Sequence, residues 1–407
     1  MKKYIRLICL VCCVFLVTGL VTSCSTTPKT DKESATKDNE PAPSFIPVET
    51  PTISISKIFS DYIVLQQNSP VKIWGTGVNN KAVVTVTVAD KTATAQVIDG
   101  KWEAIIDPVV GGMTEYEMTI SANDTTNILK ISKVMFGEVW ICAGQSNMNI
   151  LLGGVTGGAA EVSKASNPSI RMYRCAMPTG LTDSDNPENK YNSEWIPDDK
   201  TISKTDKINM YSATAYFYAK SLQESLNVPV GVIVMACGNT LAHSWISKDA
   251  MLANEEIKSF ASITTGIKNN QSGIFYDSLK EQVIPYTSKG VLWYQGESNA
   301  PAGGELESKY SVFLETLIKG WRADWKEENK PFIIVQLPKM PTKPIPWGTA
   351  EQWESIKTAQ AKVTSTVANT FLVKTDDIDK DTDLHPLHKK ILGKRAADIV
   401  ISNVYNK

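Results

Sequence analysis

Two patterns of apolar and polar positions divide the chain. Between about residues 51 and 133, short runs alternate or cluster apolar residues and are separated by turn residues, as strands do. Residues 82–88 are β-branched after the first, a composition that suits a pleated, half-buried surface. Asp99-Gly100 reads as a hairpin turn between runs 93–97 and 102–106. Tyr116, Met118 and Ile120 alternate on one face. These features predict a small β-sandwich. From residue 134 the pattern changes. An apolar run at 134–143 precedes a helical face built from Ala215, Ala219, Leu222 and Leu226. Pro229 stops that helix, and an apolar run at 230–236 follows. A further apolar run occupies 290–295. A second amphipathic helix over 310–325 groups Phe313, Leu314, Leu317 and Trp321. A strand at 331–336, a helix at 351–363 and a strand at 371–374 complete the series. Strands alternating with helices predict an α/β fold, a mostly parallel sheet covered on both faces. Ligands of such sheets sit at the strands' carboxyl ends.

The first fifty residues carry a different pattern. Lys2, Lys3 and Arg6 form a basic start, and residues 7–20 an apolar core. That core has the length of a signal-peptide h-region and is short for a membrane span. Val21-Thr22-Ser23-Cys24 resembles a bacterial lipobox, with Cys24 as the lipidated first residue. A plain cleaved signal peptide or an unprocessed anchor are the alternatives. Residues 25–50 are mostly polar and contain proline, so they read as a tether that cannot bury enough surface to fold. The expected organisation is a lipoprotein signal peptide at 1–23, a tether at 24–50, a β-sandwich-like domain at 51–133 and a catalytic domain at 134–407. This predicts a protein of the bacterial cell envelope, facing the periplasm or the cell surface, that meets the membrane through its N-terminal lipid alone.

Charge and cysteine usage narrow the function. The formal charge of the 407 residues is −1, and loss of Lys2, Lys3 and Arg6 with the leader makes it −4. No basic run suggests nucleic-acid binding. Of seven cysteines, Cys9, Cys12 and Cys13 lie in the leader and Cys24 at its end. The remaining Cys142, Cys175 and Cys237 make a disulfide framework improbable but leave room for one pair, such as Cys142–Cys237. No Cys/His spacing suggests zinc, so neither a metal nor a cofactor is expected.

Candidate chemistry gathers in four polar turns. Gly144-Gln145-Ser146-Asn147-Met148 follows the 134–143 run, so a rigid strand delivers the Ser146 hydroxyl at a sharp turn. Gly238-Asn239-Thr240 follows the 230–236 run, where a glycine allows close backbone approach and offers its N–H. Gly296-Glu297-Ser298-Asn299 follows the 290–295 run and places an Asn carboxamide at a strand end, as an oxyanion donor requires. Asp383-Leu384-His385-Pro386 precedes a helical segment and offers an imidazole with a carboxylate two residues away. Only His243, His385 and His388 exist in the chain. A Ser nucleophile needs a base near neutral pH, and His385 is favoured by its company; His388 reads as solvent-facing.

These four segments, in this order, resemble the four blocks of the SGNH (GDSL-like) hydrolases, and more narrowly the sialate O-acetylesterase-like carbohydrate esterases. Segments 58–67 and 70–75 resemble the N-terminal β-domain of those enzymes, so the resemblance covers roughly 53–404. It implies a three-layer α/β/α catalytic domain, ester deacetylation and no metal. By position it implies Ser146 as nucleophile, His385 as base, and an oxyanion hole from the Ser146 amide, Gly238 and Asn299. Many SGNH enzymes place the acid three residues before the His, where this chain has Thr382; the narrower branch matches Asp383. Asp383, Asp381 or a backbone carbonyl could therefore orient His385. In the second block Asn239 replaces a Gly and His243 an acid. Candidate substrate contacts are Gln145, Asn147, Asn239, His243, Trp245 and Glu297, with Trp245 the favoured stacking platform and Trp293 read as core. The chain order and Met148 argue against a G-x-S-x-G elbow. The expectation is a serine esterase acting on O-acetylated carbohydrate. An acetyl xylan esterase or other glycan deacetylase, or a catalytically silent glycan-binding surface lipoprotein, are the alternatives. The β-domain reads as a brace before a sugar-binding module.

Overall fold

The computed structural model describes residues 52–178, 181, 193–264, 268–340, 348–378 and 384–407. The leader, the tether and Cys24 lie outside the described residues. Fourteen strands are numbered in chain order: β1 (Ile53–Ile55), β2 (Val64–Gln66), β3 (Val71–Gly77), β4 (Val83–Val88), β5 (Lys91–Gln96), β6 (Lys101–Ile106), β7 (Gly112–Ala122), β8 (Leu129–Gly144), β9 (Ser166–Arg174), β10 (Trp195–Asp199), β11 (Val230–Ala236), β12 (Gly290–Tyr294), β13 (Phe332–Val335) and β14 (Thr370–Val373). Five helices matter for the site: α1 (Ser146–Asn149), α2 (Ala213–Leu226), α3 (Tyr310–Trp325), α4 (Ala350–Thr366) and α5 (Lys389–Asn403).

The main sheet runs β10-β9-β11-β8-β12-β13-β14, parallel except for the antiparallel edge strand β10. Its strands are buried on both faces and alternate between two cores, as the strand period of two requires. Trp140, Cys142, Val232, Val234, Leu292 and Ile333 face α2 and α5. Val139, Ile141, Ala143, Trp293 and Ile334 face α3 and α4, where Phe313, Leu317, Trp321, Trp353 and Ile356 pack. This is the expected α/β/α sandwich of layers. Ser212 caps α2 by accepting from the Ala215 N–H, and a Thr349–Gln352 capping box opens α4.

The N-terminal part is a small β-sandwich. One layer is the antiparallel sheet β1-β3-β6; the other joins β5-β4-β7 to the first half of β8. The Asp99-Gly100 turn forms, with φ of 49° and 75°, but it does not join a hairpin ladder. Only Ile98 and Lys101 bridge across it. β5 pairs with β4 and β6 with β3, so this turn carries the chain from one layer to the other. Local turn chemistry was legible; the partner of each strand was not.

Strand β8 belongs to both halves. Its first residues pair with β7 and β2, and Glu138–Gly144 pair with β11, so the expected boundary at 133/134 falls inside one continuous strand. Where the pairing changes hands, the buried Glu138 carboxylate accepts from Gln66 Nε2 (3.1 Å), Gln67 Nε2 (2.7 Å) and Tyr405 Oη (2.8 Å). Further contacts brace the β-sandwich against the main sheet. Trp195 Nε1 donates to Ile58 O (2.8 Å), Tyr286 Oη to Val64 O (2.5 Å), and Phe59 stacks on Tyr286 at 5.9 Å. These contacts fit a brace.

Helices α2 and α5 touch through backbone at Gly393, where a Cβ would lie 2.6 Å from Tyr218 N and from Phe217 Cβ. No rotamer change relieves a clash with backbone. Gly393→Ala should destabilise the fold by about 1–3 kcal/mol, the range of core overpacking, seen as a lowered denaturation midpoint. An unchanged midpoint would show that the two helices do not meet there.

Candidate active site

Three strands end at one level of the sheet. Gly144 pairs with Ala236 on one side and Tyr294 on the other, so the first three motif turns emerge side by side. Gln145 N donates to Tyr294 O (3.0 Å) and Cys237 N to Gly144 O (3.0 Å), which extends the ladder one residue beyond the strands. The chain then turns into α1, and Ser146 opens it half-exposed. Two residues at the start of α2 hold α1 in place: Ser212 Oγ donates to Met148 O (2.6 Å) and Thr214 Oγ1 to Asn147 O (2.9 Å).

The fourth motif reaches the same place from the loop before α5. His385 Nε2 lies 2.9 Å from Ser146 Oγ, within reach for proton transfer. Its loop is held on both sides: Asn147 Nδ2 donates to Leu384 O (2.9 Å) and Thr156 N to Leu387 O (3.1 Å). Pro386 is buried between them. His388 is exposed and stands just outside the helix. Asp381, Thr382 and Asp383 lie outside the described residues.

Gly238 faces Ser146: a Cβ there would meet only Ser146 Cβ, at 3.6 Å. Among the described residues neither the Ser146 nor the Gly238 amide donates a hydrogen bond. Two N–H groups beside one hydroxyl can receive an oxyanion. The Gly238 turn is fixed from outside by Asn269 Nδ2 to Gly238 O (2.9 Å) and Asn270 Nδ2 to Asn239 O (2.8 Å). Asn239 is exposed with φ of 59°.

The remaining expected residues divide differently from the sequence reading. Asn299 is buried. Its Oδ1 accepts from Ala242 N (3.1 Å) and Gln295 Nε2 (2.8 Å), and its Nδ2 donates to Leu306 O (2.8 Å). The second Nδ2 hydrogen has no acceptor among the described residues. Gln145, Asn147 and Glu297 were expected to touch substrate, but all three are buried in the floor of the site. Gln145 Oε1 accepts from the Gly296 (3.2 Å) and Ser298 (3.3 Å) amides, tying the first turn to the third. Asn147 Nδ2 donates to Glu297 Oε1 (2.7 Å) as well as to Leu384 O. Burial pushes the Glu297 carboxyl above the usual carboxylate range, against the opposing pull of the Asn147 bond and the Lys389 charge.

His243 is also buried: its Nε2 lies 2.9 Å from Asn270 O, and Phe260 and Phe313 surround its ring. Burial lowers its pKa below the usual histidine value. Trp245 is not a stacking platform. It is fully buried, stacked on Phe275 at 4.4 Å and edge-on to Trp293 at 5.4 Å. The sequence reading took its proximity to the Gly238 turn for exposure, whereas the 3-10 turn Ala242–Trp245 points it into the core. Trp293 and Tyr294 are buried as well. Cys142, Cys175 and Cys237 are buried thiols outside any disulfide, so no Cys142–Cys237 bridge forms.

Two participants were missed. Gln295 links the turns: Nε2 donates to Thr240 O (2.8 Å), while Tyr310 Oη donates to Gln295 O (2.9 Å). Lys389 is fully buried with Nζ 2.5 Å from Asn147 Oδ1. A glutamine ending an apolar strand was a weak signal for the first. Nothing local marks a lysine in a helical segment as buried.

A family model described as carbohydrate esterase, sialic acid-specific acetylesterase, matches residues 136–402. Sialate O-acetylesterase of Rattus norvegicus is 25% identical over 392 residues, covering 82% of this chain and 70% of that protein. The Homo sapiens sialate O-acetylesterase is 25% identical over 373 residues, covering 84% of this chain and 68% of its own length. The solved structure of a carbohydrate acetylesterase from Xanthomonas citri superposes with a TM-score of 0.73 at 24% identity, over 87% of this chain and 76% of that one; it shows the same fold.

The burial of Trp245 has a measurable consequence. Trp245→Ala should cost about 3–5 kcal/mol of stability, as for large-to-small core substitutions. KM of the protein that remains folded should stay near wild type. A large rise in KM without loss of stability would return Trp245 to the substrate surface.

Proposed function

We propose, from the premise that this chain belongs to the sialic acid-specific acetylesterase family of carbohydrate esterases, that Ser146 and His385 hydrolyse acetyl esters of carbohydrate through an acyl-enzyme. That the protein is a carboxylic ester hydrolase of SGNH type follows from the family. The mechanism is supported chiefly by one observation, the 2.9 Å approach of His385 Nε2 to Ser146 Oγ. The curated relatives act, by name, as sialate O-acetylesterases, which favours O-acetylated sialic acid as the substrate class.

The steps use groups already in place. His385 Nε2 takes the Ser146 proton as Oγ bonds to the acetyl carbonyl carbon, and the carbonyl oxygen becomes an oxyanion. The Ser146 and Gly238 amides, with the remaining Asn299 Nδ2 hydrogen, stabilise that charge. The tetrahedral centre collapses, the C–O bond to the sugar breaks, and the His385 imidazolium protonates the departing sugar oxygen. Water, deprotonated by His385, then attacks acetyl-Ser146, and the proton returns to Oγ as acetate leaves. Asp383 is the proposed partner of the imidazole. The apolar run at 7–20 and the motif ending at Cys24 support anchoring at the bacterial cell envelope through a lipid.

Ser146→Ala should lose turnover of a chromogenic acetyl ester by up to about 10⁶-fold with the fold intact, as loss of a Ser nucleophile does. Near-wild-type turnover in that folded variant would remove Ser146 from the mechanism. Because the base must be neutral, kcat/KM should be low in acid and rise through one ionisation, histidine being centred ordinarily near about pH 6.5. His385→Ala should abolish both activity and this rise, and His388→Ala should keep both. The reverse outcome would move the base to His388.

A further inference from the structure

Lys389 is a cation held in the interior by specific partners. It is the first residue of α5 and is fully buried. A cation there meets the positive end of the helix dipole, and its desolvation is costly unless hydrogen bonds offset it. Its surroundings are specific: Nζ donates to Asn147 Oδ1 at 2.5 Å and lies 5.1 Å from the centre of the Tyr294 ring.

Asn147 uses its whole carboxamide. Nδ2 faces two acceptors, Glu297 Oε1 at 2.7 Å and Leu384 O at 2.9 Å. Oδ1 faces an ammonium that can only donate. An amide is normally free to turn by half a rotation with little change in shape. Here the turned form would place NH₂ against the ammonium and oxygen against both acceptors. The three neighbours therefore impose one orientation, and in that orientation Asn147 joins two chains that matter: it follows the hydroxyl-bearing Ser146, and it holds the residue that precedes His385.

We propose that Lys389 is a positioning residue of the esterase, whose ammonium locks the Asn147 carboxamide so that Asn147 holds the Ser146 turn and the His385 loop at their reacting distance. This rests on the Ser146–His385 reading above. Lys389 touches neither reacting atom; it acts through Asn147. Without the cation, Asn147 can rotate and release Leu384 O, and the imidazole drifts from Ser146 Oγ. Displacements near 1 Å at such a pair can cost about 100-fold in rate.

The test compares Lys389→Met, which keeps length but donates nothing, with Lys389→Gln, which keeps a neutral N–H donor. Both are measured well below their melting temperatures, with kcat and KM on a small aryl acetate and the rate of inactivation by a serine-directed organophosphate. Lys389→Met should lose about 10- to 100-fold in kcat and similarly in inactivation rate, with KM within about twofold. Lys389→Gln should recover most of that loss. Wild-type kcat in folded Lys389→Met, or equal losses in Met and Gln, would overturn the proposal. If Lys389→Met does not fold, Lys389→Gln decides alone: kcat within about tenfold of wild type supports the lock, and a fall to the His385→Ala level overturns it. Activity in the Ser146→Ala control would strike instead at the nucleophile assignment.

Discussion

The site depends on how closely β8 and β12 approach at Gly144. That residue has φ of 148°, and a Cβ would fall 2.0 Å from Tyr294 O. Any side chain would push the strands apart just where Gln145 N donates to Tyr294 O. The consequence reaches beyond one bond. Gln145 Oε1 collects the Gly296 and Ser298 amides, so separation of the two strands would also detach the Glu297 turn from α1. The exit of Ser146 from the sheet, and the alignment of two of the four motifs, share this one backbone contact.

Beneath Ser146 and His385 lies a buried polar floor. Gln145, Asn147, Gln295, Glu297, Asn299, Gln360 and Lys389 are all buried. Hydrophobic residues of similar volume would often be at least as stable. What the polar set provides is direction. Gln360 Nε2 donates to Gln295 O at 3.0 Å and its Oε1 accepts from Leu337 N at 2.9 Å, so α4 is registered against β12 and the end of β13. Tyr310 adds α3 to the same point through Gln295. Each helix is thereby fixed in azimuth as well as distance, which apolar packing fixes less sharply. Glu297 Oε2 has no partner among the described residues, and burial raises the pKa of that carboxyl.

Periodicity made the layers legible because core-facing positions repeat at 3.6 or 2 residues whatever the partner. The helices Ala213–Leu226 and Tyr310–Trp325, and strand Val230–Ala236, emerge within a residue or so of their sequence limits. Ser146 and His385 were legible because a Gly-flanked turn after a buried strand and a scarce residue type are local facts. Pairing is not local. Nothing near Asp99-Gly100 says that β5 and β6 go to different layers, and nothing near Glu138 says that β8 serves two of them. Burial of polar residues was the least visible property. Asn147, Glu297 and Trp245 lie close in sequence to motif glycines, so proximity suggested contact with substrate, whereas their orientation sends them inward. Lys389 became visible only once three distant segments were in place around it.

The same floor bears on both halves of an ester hydrolysis. In the proposed mechanism the imidazole must face Ser146 Oγ in acylation and, in deacylation, a water that takes the place of the departed sugar oxygen beside acetyl-Ser146. A base free to swing would serve each step in a different pose and lose orientation in both. The His385 loop is instead held at Leu384 O by Asn147 and at Leu387 O by Thr156, one anchor before the base and one after it. Two such anchors restrain the ring's approach from the protein side and leave the half-exposed solvent side of Ser146 open to the leaving sugar and the incoming water. Rigidity is thus concentrated around the Ser146–His385 pair. Access is left at the exposed turn around Asn239, whose carbonyl and not its side chain is tied down by Asn270.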